Sequence, residues 1–367
     1  MSPPSEDSAD VVDLDTLGWG DWFAEPFRPH ETAGLFPARV AIPHNYLYQL
    51  YTARGELMAE ASGRLRHQAT SADAMPVVGD WVAIRPSETE HKATIEAVLP
   101  RRSCFSRKAA GEPTRRQLVA ANIDAVFLVC GLDGDFNLRR IERYLVAIGD
   151  SGATAVIVLN KADVCPDAAA ARSAAAALAP GTPIYVTSCL EDGGTDPLEV
   201  HLSPGKTVAL LGSSGVGKST IINRLLGANR QQTREVRSRD SRGRHTTTRR
   251  ELIVMPHGGL LIDTPGMREL QLWDSTEALE DAFEDIDALA ATCRFRDCAH
   301  DEEPGCAVGA AVNDGRLAES RINSYRRLKR EGDILRRQRD GLARLEEQRR
   351  DKSVHRPMRH NRLTGDG

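Results

Sequence analysis

Residues 207–220 carry the strongest chemical signal in the chain. Thr207-Val-Ala-Leu-Leu211 is an apolar, β-branched run that stops at a glycine. Gly212-Ser213-Ser214-Gly215-Val216-Gly217-Lys218-Ser219-Thr220 follows, and then Ile221-Ile-Asn-Arg-Leu-Leu226 at helical spacing. Strand, glycine-rich loop and helix in that order make a phosphate-binding loop. Its glycines let backbone N–H groups turn inward, and the helix N-terminus adds partial positive charge. Lys218 then reaches the β- and γ-phosphates, and the Ser219 hydroxyl ligates Mg²⁺. An ordinary glycine-rich turn is the competing reading, and the correct context on both sides favours a nucleotide.

A second signal is Asn160-Lys161-Ala162-Asp163, directly after the apolar run Thr154–Leu159. Guanine presents N1–H and N2–H₂ side by side, and one carboxylate accepts from both. Adenine offers no such donor pair. Asp163 would therefore select guanine, with Asn160 and Lys161 shaping the pocket and the backbone of Ser188 and Cys189 touching the base. Four letters alone could equally be a helix-capping turn. Asp263-Thr264-Pro265-Gly266 ends a further apolar run, where an Asp beside a phosphate loop can hold Mg²⁺ through water. Three such motifs together make chance a poor explanation.

A third cluster is Cys293-Arg-Phe-Arg-Asp-Cys298-Ala-His300-Asp-Glu-Glu-Pro-Gly-Cys306. Three thiols and an imidazole so close together match a closed, structural zinc site, one ion per chain. Four unrelated residues, or a redox cluster, are the alternatives. The remaining cysteines, at 104, 130, 165 and 189, are scattered, which suits a reducing compartment better than a disulfide framework.

These residues need scaffolds. From Asn122 apolar runs alternate with helical spacing: Ala125–Cys130, Leu138–Ile148, Thr154–Leu159, Ala168–Leu178 and Pro183–Val186 precede the phosphate loop. Leu252–Met255 and Gly259–Ile262 follow it. The alternation predicts a parallel α/β sheet with the motifs at the carboxyl ends of its strands, on one edge. Between Pro37 and Ser103 the texture is short strands separated by turn signals: Ala38–Ile42, Tyr46–Tyr51, Gly63–Leu65, Gly79–Ile84 and Ala93–Val98. That pattern predicts an OB-like β-barrel without a helix. Tyr46, Tyr48, Tyr51 and Trp81 could form a nucleic-acid face there, or simply fill the barrel wall.

The formal net charge of −4 conceals a gradient: residues 1–35 sum to −7 and residues 314–367 to +7. The basic end suits a polyanion or a solvated helix face. Residues 320–350 have an amphipathic helical pattern rich in Arg. Residues 229–250 read as a mobile loop with eight Arg, and residues 1–15 and those after 353 as disordered. No run approaches the ~18 apolar residues a spanning helix requires, and no leader is legible, so a cytoplasmic protein without membrane partners is expected.

In ordinary small GTPases the phosphate loop comes first. Here the guanine motif precedes it, and Gly243-Arg-His245-Thr246-Thr247-Thr248 and Asp263–Gly266 follow. This resembles the circularly permuted GTPases. A barrel, a permuted GTPase and Cys-x₄-Cys-x-His-x₅-Cys in succession, with Gly79-Asp-Trp-Val82 and Glu303-Pro-Gly-Cys-Ala-Val308, is similar to the ribosome small-subunit-dependent GTPase A family (RsgA, also called YjeQ). The likeness spans residues 36–330.

The resemblance implies a GTP hydrolase, with GTP/GDP, Mg²⁺ and Zn²⁺, that acts in late maturation of the small ribosomal subunit, binds its rRNA and is stimulated by it. A permuted GTPase for the large subunit, or a GTP-gated RNA-binding module, are the alternatives. A monomer is expected, built as an acidic extension (1–35), barrel (36–105), GTPase domain (115–275), zinc-binding and helical domain (276–352) and basic tail (353–367). The position after Asp-x-x-Gly, where many GTPases carry a water-orienting Gln, is Met267, which cannot do that work. His245 is the nearest polar candidate for orienting water, beside Lys218 as the charge-neutralising group. Thr247 or Thr248 is the Mg²⁺-sensing hydroxyl. His245 contacting RNA or solvent is the competing reading.

Overall fold

The computed structural model describes residues 13–227, 250–263, 279, 282–300, 303–334 and 337, apart from 45, 70–71, 88–91, 110–111, 257, 297, 320 and 331. Of residues 107–116 only the backbone is described. The expectations for residues 1–12, 228–249 and 264–270, and for the end beyond 337, lie outside the described residues. That includes His245, Thr247, Thr248, Gly266 and Met267. The chain divides into two compact units, residues 1–108 with 116–271, and residues 272–367 with 109–115.

In the first unit, β1 (Phe36–Pro43), β2 (Leu47–Thr52), β3 (Gly55–Ala61), β4 (Trp81–Pro86) and β5 (Lys92–Val98) close a barrel in the order β1-β2-β3-β5-β4. Val40, Leu50, Ala59, Val82, Ile84 and Ile95 fill it. One expectation needs correction. Gly63–Leu65 is not a strand: it opens a helix, α2 (Gly63–Gln68), because the Ser62 hydroxyl caps it by accepting from the Leu65 N–H at 3.0 Å and Leu65 is buried. The barrel therefore does carry a helix. Tyr48, Tyr51 and Trp81 are buried and form no nucleic-acid face, whereas Tyr46 is exposed.

The acidic head holds a helix that the sequence reading missed, α1 (Asp21–Thr32), despite prolines at 26 and 29. Its buried Phe23 and Phe27 pack with Trp19 over Trp81; the Trp19 and Trp81 rings lie 4.7 Å apart, edge on. A hairpin, β6 (Cys104–Ala109) and β7 (Glu112–Ala121), was also missed.

Next come β8 (Ala125–Gly131), α3 (Leu138–Gly149), β9 (Thr154–Asn160), α4 (Ala168–Leu178), β10 (Ile184–Thr187), β11 (Thr207–Leu211), α5 (Lys218–Leu226), β12 (Glu251–Val254) and β13 (Leu260–Asp263). They form one sheet in the order β10-β9-β8-β11-β13-β12. Five strands are parallel, and β8, β9, β11 and β13 among them are buried on both faces, which is why they read as unbroken apolar runs. The expectation of a parallel sheet fails only at β12, which turns back antiparallel to β13.

Buried polar groups brace the barrel, and Arg39 ties it to the sheet. Asp80 is fully buried and takes a two-pronged ion pair from Arg101, at 2.7 Å to each oxygen. Arg39, also buried, donates to the carbonyls of Leu17, Gly79 and Asn122 and to the Thr207 hydroxyl.

In the second unit, α6 (Glu284–Ala290), α7 (Ala307–Asn313) and helical residues 321–330 share a core of Phe283, Ile286, Val308, Ala311, Ile322, Tyr325 and Leu328. Arg321 holds Asp285 with two bonds of 2.6 Å.

Candidate nucleotide site and Cys/His cluster

The parallel strands end together. Gly131 of β8 pairs with Asn160 of β9, and Asn160 with Thr187 of β10, so the loops that follow leave the sheet side by side. The loop 212–217 leaves β11 at the same edge. Gly212, Gly215 and Gly217 have φ of 147°, 83° and 101°, backbone that side chains rarely tolerate. At two of them space is decisive as well. A Cβ on Gly212 would lie 2.2 Å from the Val129 carbonyl, and one on Gly217 2.2 Å from Asn160 Nδ2.

Asn160 is the junction. It is buried, and its Nδ2 donates to the Val216 carbonyl at 2.8 Å. Its Oδ1 accepts from the Thr187 hydroxyl at 3.2 Å and the Cys189 thiol at 3.4 Å. The Ser188 hydroxyl donates to Asp163 at 2.6 Å. Burial pushes the Cys189 thiol pKa up, so it stays a neutral donor. One amide thus links the 160–163 segment, the 187–189 segment and the phosphate loop, which are far apart in sequence.

Lys218 Nζ, at the start of α5, donates to the carbonyls of Gly212 (2.8 Å) and Ser213 (2.5 Å). Ser219 and Thr220 follow in the first turn, whose N–H groups lack intrahelical partners. Asp263 ends β13, which pairs with β11. A cavity of about 380 Å³ opens here, lined by Ser214, Gly215 and Val216 of the phosphate loop and by Lys161, Asp133 and Asp135.

The structure thus brings together Asn160, Lys161, Ala162, Asp163, Ser188, Cys189, residues 212–220 and Asp263. Two neighbours were missed from sequence. Asp133 bonds Lys161, and Arg224 on α5 donates to the Cys189 carbonyl at 3.0 Å, bracing the 188–192 turn. Neither belongs to a motif; their partners are set by strand order.

In the second unit, Cys293, Cys298, His300 and Cys306 bring their ligand atoms within 4.8 Å of one another. His300 Nδ1 lies 3.6 Å from the sulfurs of both Cys293 and Cys306, which are 4.0 Å apart. Tetrahedral zinc, at ~2.3 Å from sulfur and ~2.0 Å from nitrogen, needs donors ~3.5–3.8 Å apart, so the four fit such an ion. Burial opposes ionisation of Cys293, yet the N–H groups of Val308 and Ala307 and the neighbouring Cys306 and Cys298 hold its pKa below the usual thiol value. Burial lowers the His300 pKa, with Lys329 and Arg326 adding to it, which favours the neutral, ligating imidazole. Cys306 also caps α7, accepting from the Gly309 N–H at 3.2 Å.

Fold and site together define a P-loop GTPase whose motifs run in permuted order. The RsgA GTPase family model matches residues 98–273. The chain is 48% identical over 355 residues to the small ribosomal subunit biogenesis GTPase RsgA of Opitutus terrae, covering 94% of this chain and 97% of that protein. Among solved structures, YjeQ from Thermotoga maritima is 28% identical with a TM-score of 0.63, over 81% of this chain and 98% of that one. YloQ, a circularly permuted GTPase, shares the fold with a TM-score of 0.60 at 24% identity, over 82% of this chain and 96% of its own. This chain belongs to the RsgA GTPase family.

Proposed function

We propose that this GTPase serves the biogenesis of the small ribosomal subunit, as its RsgA relatives are named for, by hydrolysing GTP in response to the subunit and its rRNA. The supporting observation is the Asn160 junction, which joins a carboxylate suited to guanine, Asp163, to a phosphate loop at one sheet edge. Asp163 accepts from guanine N1–H and N2–H₂, while Asn160 and Lys161 shape the pocket and the Ser188–Cys189 backbone meets the base. Residues 212–217 wrap the phosphates with N–H groups, and Lys218 leaves its two carbonyls to neutralise the β- and γ-phosphates.

Ser219 and Asp263, with Thr247 or Thr248, would hold Mg²⁺, which supplies charge neutralisation of the phosphates when bound. Gly266 belongs to the same Asp-x-x-Gly motif as Asp263, and His245 orients the attacking water. Cys293, Cys298, His300 and Cys306 hold one structural zinc. The arginines of the C-terminal segment would neutralise rRNA phosphates. The protein acts as a cytoplasmic monomer; among the described residues no helix is long and apolar enough to cross a membrane.

The test is GTP turnover by the full chain alone, with purified small subunits and with large subunits. Stimulation by small subunits alone is the expected result. Equal stimulation by both, or by neither, overturns the reading.

A further inference from the structure

The loop after β8, Leu132-Asp-Gly-Asp135, belongs to no nucleotide motif, yet it runs beside Lys161. The Leu132 N–H donates to the Asn160 carbonyl at 2.8 Å, which fixes the two loops edge to edge. Asp133 bonds Lys161 Nζ through its carboxylate. Three features show that this pair is built rather than incidental.

First, Gly131 clears its path. A Cβ there would come within 2.5 Å of Asp133 Oδ1, so glycine leaves room for the carboxylate in its present place, folded back toward Lys161. Second, Lys161 has φ of 67°, a left-handed backbone rare for a side-chain-bearing residue, as the chain turns out of β9. Third, the neighbouring Asp135 is engaged elsewhere, 2.7 Å from Arg140, which leaves Asp133 to serve Lys161. The bond to Lys161 holds the Asp133 carboxyl below the usual carboxylate range. The pair therefore persists through neutral pH and is lost only in acid, below the ordinary carboxylate range.

Asp133 and Lys161 line the same cavity as Ser214, Gly215 and Val216. A lysine ammonium without a carboxylate there would be drawn along the cavity toward phosphate. We propose that Asp133 is a positioning residue for guanine-nucleotide binding: it anchors Lys161 at the base end of the cavity and thereby slows nucleotide release. This rests on the assignment of residues 160–163 to guanine. Both side chains are partly exposed, so the effect is of the size of a surface ion pair, about two- to fivefold in dissociation rate.

The experiment measures release of a fluorescent GDP analogue, and GTP KM and kcat, in the full chain. Asp133→Ala and Asp133→Asn should speed release about two- to fivefold, with the loss in KM rather than kcat. The difference should shrink toward ~1 M salt, where screening acts over ~3 Å. Gly131→Ala, which crowds the carboxylate while keeping both charges, should speed release by no more than Asp133→Ala does. In a Lys161→Met background Asp133→Ala should add nothing. Unchanged or slower release in Asp133→Ala, or full additivity with Lys161→Met, overturns the proposal. If Lys161→Met itself leaves nucleotide affinity intact, the guanine assignment beneath it fails instead.

Discussion

Replacing Arg39 by methionine keeps the apolar stem and deletes the guanidinium, the group that touches the N-terminal segment, the barrel and the GTPase sheet at once. Burial lowers the pKa of Arg39 to about 10, an effect opposed by Asp124 and Asp80, so it is charged at neutral pH. The Leu17 and Asn122 carbonyls would each lose a charge-assisted donor, the latter one of 3.0 Å. Deserted buried acceptors cost about 1–3 kcal/mol apiece. Gly79 O keeps the Asn122 side-chain amide at 3.1 Å, and the Thr207 hydroxyl can rotate, so those two losses sit near 0.5–1.5 kcal/mol each. Relief from desolvating the guanidinium offsets part of the sum. The net expectation is about 3–5 kcal/mol, or roughly 6–20 °C in melting temperature for a unit of this size.

The assay is thermal unfolding with tryptophan fluorescence, because Trp19 and Trp81 pack on each other beside Arg39, whose guanidinium carbon lies 5.7 Å from the Trp81 ring centroid. Arg39→Met should melt early and red-shift as the 13–32 segment loosens. Arg39→Lys, with one ammonium for four acceptors, should fall in between. Nucleotide affinity below the transition should survive, since Thr207 lies at the far end of β11 from the phosphate loop. A melting shift of under ~2 °C in Arg39→Met would refute the inference that this guanidinium ties the segments together.

Asp163→Asn should weaken GTP by about 2–4 kcal/mol, ~30- to 1,000-fold, and gain affinity for xanthosine triphosphate, whose C2 carbonyl wants a donor; unchanged GTP affinity in a competition assay counts against the assignment. Freshly purified protein should contain one zinc per chain, and Cys306→Ala should lose it together with the cap of α7, seen as lost helical dichroism; metal analysis that finds no zinc in the wild type rejects the site. His245→Ala should cut subunit-stimulated turnover by ~10²–10⁴-fold with GTP affinity retained, and full stimulated activity would move the water-orienting role to another group.

The parts of this molecule legible in its sequence are those where chemistry constrains residue type. Phosphate demands glycines and Lys218, guanine demands a carboxylate, and a tetrahedral ion demands thiols and imidazole at short spacing. The buried strands β8, β9 and β11 were legible for a similar reason, since burial on both faces leaves only apolar runs. The misreadings share a different cause. In β1 the four residues Ala38–Ala41 are all buried, so Arg39 sits in an interior that alternation assigns to solvent. Its acceptors come from residues 17, 79, 122 and 207, a set no local window contains. Asp133 and Lys161 meet only because β8 and β9 are neighbours in register, and Gly131 reads as a mere turn until that carboxylate is placed beside it. The α1 helix was hidden by two prolines whose cost the burial of Phe23 and Phe27 offsets. Motif residues bind the ligand, whereas their supports are set by strand order. A variant that spares every motif residue yet alters Gly131 or Arg39 should therefore still change the nucleotide site or the stability of its scaffold.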